Sequence, residues 1–140
     1  MSEKVIIRQK NNYETTYQSL DPDEPGAKRP RPVLSISELT PYGMVLAGLG
    51  TCTAFVVNTY AEHHGVHVDA VKITLGYGRS FKEDCEHCEE IDKYEDDIEM
   101  SVSFEGDLTA EQREKLFKIS LRCPVHKMLK SGIKVQSKPA

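Results

Sequence analysis

The stretch TPYGMVLAGLGTCTAFVVNTYAEHHG, residues 40–65, has the clearest helix boundaries in the chain and an apolar pattern that decides its fold. Thr40 is suited to accept hydrogen bonds from the first free N–H groups. Pro41 presets the backbone of the first helical residue, and Gly65 stands just past the end. Apolar residues surround nearly the whole circumference: Met44, Val45, Leu46, Leu49, Phe55, Val56 and Tyr60. That pattern predicts a helix buried on most sides. Gly43, Gly48 and Gly50 would each cost about 1 kcal/mol relative to alanine inside a helix, so another helix or a sheet is expected to approach closely there.

On the N-terminal side, strands are predicted at residues 5–8, at 13–19, where Tyr13, Thr15 and Tyr17 alternate, and at 33–39. Between the last two lies DPDEPGAKRPRP, residues 21–32, whose prolines and glycine predict an irregular exposed loop. It is either a plain connector or a loop that carries Arg29 or Arg31 over a site. On the C-terminal side, Val71, Ile73, Leu75 and Tyr77 alternate with polar residues or glycine, as do Ile98, Met100, Val102 and Phe104 with polar residues. Each run reads as a strand with one buried face. Their connector, residues 79–97, is dense in acids and reads as solvated, with room for strand pairing to extend into it. Thr109 and Gln112 fit a capping box opening a helix that carries Leu116, Phe117 and Ile119 and ends before Cys123. A short helix follows from Pro124, and Ile133 with Val135 suggests a final strand.

These elements are expected to make one domain over residues 1–140. A chain of 140 residues and 15.8 kDa is long enough to bury a core but short for two domains. With 29% charged and 39% hydrophobic residues it reads as globular and soluble. No apolar run is expected to approach the roughly 20 residues that span a bilayer, and MSEKVIIRQK lacks the apolar core of a secretory signal. A cytoplasmic protein with no membrane partner is expected. The net charge of −4 supplies no basic field, so no nucleic-acid partner is expected either.

The four cysteines carry the chemistry. In a reducing compartment they point to redox or metal chemistry rather than to a disulfide framework. Cys123 precedes Pro124, which pushes it out of helical geometry and onto the N-cap of PVHKMLKS. Its sulfur is expected to face the positive end of that helix, with His126 in the same turn, and to gain thiolate character. The alternative is a small apolar residue at a helix junction. Cys52 falls mid-helix on a stripe with Val45, Leu49 and Val56. It reads either as inert core or as a nucleophile, and a nucleophile in that setting needs a nearby cation or polar network. Cys85 and Cys88 in DCEHCEE make half of a tetrahedral zinc site, to which His87 would add a nitrogen ligand. Structural zinc, a redox pair and a solvated loop are the three readings of that segment. His63 and His64 sit against the negative end of the long helix, where a structural role is expected.

Together, LTPYGMVLAGLGTCTAFVVNTYAEHHGV, the strand after it and FEGDLTAEQREKLFKISLRCPVHKML resemble the OsmC/Ohr family of thiol-dependent peroxidases, over roughly residues 33–138. The resemblance implies an α+β fold in which two chains intertwine as a homodimer, with two central helices packed between β-sheets. It implies Cys52 as the peroxidatic thiol and Cys123 as the resolving thiol, a small organic hydroperoxide as substrate, an external dithiol as reductant, and no required cofactor. The family's active members carry a glutamate ten residues before the first cysteine, holding an arginine against the sulfur. That position is Tyr42 here, the nearest upstream acid is Glu38, and Arg29 and Arg31 are the candidate arginines. The alternative function is a member of the same fold that binds a ligand or senses thiol oxidation without efficient turnover.

Overall fold

The computed structural model describes residues 3–21, 29–81 and 94–140. Its strands are β1 (Lys4–Lys10), β2 (Thr15–Leu20), β3 (Arg31–Val33), β4 (Ala70–Phe81) and β5 (Tyr94–Glu105). Its helices are α1 (Pro41–His63), α2 (Ala110–Ser120) and α3 (Pro124–Ser131). The strands form one antiparallel sheet in the order β3-β2-β1-β4-β5, an α+β architecture as expected.

The alternation read in the sequence becomes register. Val71, Ile73 and Leu75 of β4 lie opposite Phe104, Val102 and Met100 of β5, while β1 sets Ile7 opposite Ile73. One face of this ladder is therefore apolar, and α1 lies across it. Thr40 Oγ1 accepts the Gly43 N–H at 3.1 Å and caps α1, as its sequence predicts. Two glycines explain how closely helix and sheet approach. A Cβ on Gly50 would overlap Ile7 Cδ1 and come within 2.8 Å of Leu75 Cδ1, both fully buried, and one on Gly43 would overlap the Glu3 carboxylate. Gly48 differs: nothing lies within 4 Å of its virtual Cβ. A buried polar chain fixes the other end of the contact. Asn58 Nδ2 donates to Gln9 Oε1 at 2.9 Å, and Gln9 Nε2 donates to Thr15 Oγ1 at 3.0 Å.

The fully buried residues of α1 are at 43, 46, 47, 49, 50, 53, 54, 57, 58 and 61, and partly buried Met44, Cys52, Val56 and Tyr60 pack beside them, so the helix is covered on most sides but keeps an exposed stripe. Val45 and Phe55, on that stripe, remain 47% and 53% exposed. Several expectations are corrected. The chain does not lack an apolar run of spanning length: α1 is long and apolar enough by length and composition, and half of its most apolar window is buried inside the fold. The strand expected at 33–39 ends at Val33, and residues 36–38 form a 3-10 turn. The Glu38 carboxylate accepts the Leu34 and Ser35 N–H groups at 2.7 and 2.8 Å and so reverses the chain. β3 begins instead inside the proline-rich stretch, because an edge strand tolerates Pro32. Tyr13 is a turn residue with φ of 70°, tied to α1 by donation from its hydroxyl to Glu62 at 2.6 Å, so β2 starts at Thr15.

At the C-terminal end, Thr109 and Gln112 form the expected reciprocal cap at 3.1 and 2.9 Å. Arg113 fastens α2 to the end of β5 by donating to the Phe104 and Gly106 carbonyls. No strand forms around Ile133 and Val135; they are 64% and 78% exposed and pair with no described strand.

The glycine contacts give a stability test by urea unfolding. Gly50→Val overpacks the helix–sheet contact and lowers stability by about 1–3 kcal/mol. Gly48→Ala, with open space around it, leaves stability unchanged or raises it by up to about 1 kcal/mol. Equal responses at the two positions would contradict this packing.

Candidate functional site

Cys52 and Cys123, 71 positions apart, meet where the start of α3 reaches the middle of α1. Cys123 is the N-cap of α3, as predicted, and is fully buried in the core. Cys52 is half-buried and in hydrogen-bonding contact with it. Cys52 also lines an open cavity of about 610 Å³ bordered by α1, β2, β3 and the 3-10 turn. Its walls are mainly apolar, among them Val33, Leu39, Met44 and Phe55, and Gly48 leaves the wall open one helical turn from the thiol.

The electrostatics differ from expectation. The positive end of α3 does serve a thiol, but the Val125 N–H bonds to Cys52, while the Cys123 side chain makes no cap bond. Burial pushes the Cys52 thiol above its ordinary pKa, and the hydrogen bond with Cys123 and the charge of a Cys123 thiolate push the same way. The Val125 N–H pulls it down, and the upward effects win. Among the described residues, no cation is found acting on Cys52. Arg31 donates to the Glu38 carbonyl at 3.0 Å, and Arg29 and Arg31 are both exposed.

The helix start carries an unforeseen acid. Tyr42 stacks on Tyr77 with centroids 4.5 Å apart, and Tyr77 donates to Asp96 at 2.6 Å. Glu3, just before β1, buries its carboxylate against Gly43, where Oε2 accepts the Thr40 N–H at 3.4 Å. A second omission in the sequence reading is the pair Tyr17 and Thr51, which line the Cys52 cavity with their hydroxyl oxygens 2.9 Å apart. The alternation through Tyr17 signalled a strand but said nothing of the helix it would face.

The remaining candidates separate. His64 stacks on Tyr60 at 3.9 Å and its Nδ1 lies 2.9 Å from the Tyr60 carbonyl oxygen, in keeping with a structural role. His126 is half-buried and lines a groove with Asp96 and Met100. Cys85, His87 and Cys88 lie outside the described residues, and among those described no three His, Cys, Asp or Glu side chains gather as a metal site.

Comparison with known proteins bears on the family and the fold. The family model described as OsmC-like protein matches residues 35–138. The fold is similar to the crystal structure of an OsmC-like hydroperoxide resistance protein from Jannaschia sp. CCS1, with a TM-score of 0.63 and 13% identity, covering 99% of this chain and 93% of that one. No curated protein matches in sequence. With 104 of its 140 residues inside the family model, the chain belongs to the OsmC-like protein family.

Proposed function

We propose that the chain is a cysteine-based peroxidase that reduces organic hydroperoxides. The observation that carries this is the contact between Cys52 and Cys123 at the wall of an apolar cavity. The similar fold of a hydroperoxide resistance protein adds support. In this reading the Cys52 thiolate attacks the terminal peroxide oxygen and the O–O bond breaks. The alcohol leaves after protonation, and Cys52 becomes a sulfenic acid. Cys123 attacks that sulfur, water leaves and a disulfide forms; an external dithiol then restores both thiols by two exchange steps. Two electrons pass from sulfur to peroxide in each cycle, so no metal, haem or flavin is required. Free thiols of this kind suit a reducing cytoplasm.

Full burial of Cys123 suits the resolving role, since its nearest reactive partner is Cys52 and not solvent. The chain works as a homodimer. Val45 and Phe55 on α1, with Phe117 and Leu121 at and just past the end of α2, are exposed apolar side chains that a second copy would cover. Sedimentation equilibrium should give twice the 15.8 kDa chain mass, and a monomer at micromolar concentration would refute this part.

The second reading, a binding or thiol-sensing protein without efficient turnover, is favoured by the partial burial of Cys52, which raises its thiol pKa and so depletes the nucleophilic thiolate. Stopped-flow consumption of cumene hydroperoxide decides between them. The reduced chain consumes it and forms an intramolecular Cys52–Cys123 disulfide. Cys52→Ser lowers the rate by at least about 100-fold, and Cys123→Ser retains the first turnover with a dimedone-trappable sulfenic acid. Undiminished consumption by Cys52→Ser would remove the assignment of roles, and absence of consumption by the parent chain would leave the binding or thiol-sensing protein.

The raised thiol also sets the pH dependence. Thiolate fraction grows about tenfold per pH unit below the pKa, so a pKa raised from the ordinary 9.0 moves the plateau to higher pH. The rate constant for Cys52 oxidation therefore climbs through pH 7 to 9 without levelling. A plateau by neutral pH would show that an unidentified cation has overcome the effect of burial.

A further inference from the structure

The Cys52 cavity has a polar edge whose hydrogen-bond direction is fixed. Thr51 Oγ1 donates to the Ala47 carbonyl, one helical turn back, at 2.7 Å, and lies 2.9 Å from Tyr17 Oη. A hydroxyl has one proton to give. That of Thr51 is committed to Ala47, so in the second bond Tyr17 donates and Thr51 accepts. Tyr17 Oη is left with lone pairs alone to offer to the cavity.

Its position is held by the sheet, because β2 is paired on both sides at this residue, with Ile7 on β1 and Val33 on β3. Among the described residues no charged side chain lines the cavity, and the hydroxyl oxygens of Ser35 and Ser37 lie 3.0 Å apart. A ligand that brings a donor to Tyr17 satisfies both partners. One that brings only an acceptor sets lone pair against lone pair beside apolar walls, and unmade polar interactions of that kind are the costly ones.

We propose that Tyr17 is the specificity-determining residue of this cavity, an acceptor that selects neutral, apolar ligands presenting an O–H group over matched molecules presenting only an acceptor. Hydroperoxides and their alcohols are of the first class; ethers are of the second. The proposal rests on the reading of the Cys52 cavity as the substrate site. Tyr17, Thr51 and Cys52 line the same cavity, so a hydroperoxide donating to Tyr17 lies in the cavity that also holds the thiol.

The test is an NMR titration of the reduced full chain with 2-phenyl-2-propanol and with its methyl ether, which share a body and differ in the donor. The alcohol should bind about three- to tenfold more tightly, the range expected of one net hydrogen bond. Tyr17→Phe brings the alcohol to the affinity of the ether and leaves the ether nearly unchanged. Thr51→Val returns the proton of Tyr17 to the cavity, so the ether gains affinity and the ratio narrows. Equal binding of the two ligands to the parent chain, equal weakening of both by Tyr17→Phe, or binding of neither would overturn the proposal. Turnover is not read in this experiment. A chain that discriminates but consumes no peroxide counts against the peroxidase alone, and one that consumes peroxide without discriminating counts against Tyr17 alone.

Discussion

Everything in the site depends on how closely α1 lies on the sheet. At Gly50 the helix has no side chain, and Ile7 of β1 and Leu75 of β4 fill the space a Cβ would take. Cys52 comes two residues later, turned about 200° around the helix from Gly50, so the contact that fixes one face also fixes where the thiol points. That direction is away from the sheet's midline, toward the cavity under the 3-10 turn and the start of α3. A methyl group at position 50 would act on the thiol through the backbone, by tilting a rigid element, without touching sulfur. The buried Asn58–Gln9 bond holds the same helix two turns further on and limits that tilt.

Two opposing effects meet at Cys52. Removing a thiolate from water disfavours the charged form, and an adjoining thiol that itself becomes charged adds like-charge repulsion. One helix N–H acts the other way. A single N–H from an eight-residue helix is a modest donor, and here it does not offset burial. The same burial makes the cavity apolar, so affinity for an organic substrate and thiolate formation pull against each other within one set of walls. The Tyr17–Thr51 edge resolves part of this tension in the proposed reading. It orients a neutral ligand through a hydrogen bond and adds no charge to the walls.

Local signals in the sequence foretold the elements they govern. Thr40, Pro41, Thr109, Gln112 and Pro124 act through bonds within a few residues, and each does what its identity implies. The alternation at 71–77 and 98–104 was legible for the same reason, since a period of two reports one buried face wherever the partner lies. What escaped was decided by partners distant in sequence or by what covers a surface. The apolar residues of α1 reach nearly every face, yet within one chain the stripe that carries Val45 and Phe55 stays exposed. The segment around Ile133 and Val135 has strand composition but no strand beside it. The meeting of Cys52 with Cys123 followed from family resemblance. No periodicity reveals that the Val125 N–H would choose the other sulfur.

The acid at the helix start marks how far resemblance can be carried by register alone. Tyr42 occupies the position where the family pattern has glutamate, which suggests that the charge is lost. Yet a carboxylate is buried one residue away, brought in by Glu3 and admitted because Gly43 has no side chain. At a helix N-terminus a carboxylate is well placed, whichever part of the chain supplies it. The reach of this acid is nonetheless limited. From Gly43 to Cys52 is nine residues, about 13 Å along the axis at 1.5 Å each, too far for the Glu3 carboxylate to touch sulfur in the same chain. Within one chain, then, Glu3 acts on the helix start, and the state of Cys52 is governed by its walls, by Cys123 and by the Val125 N–H.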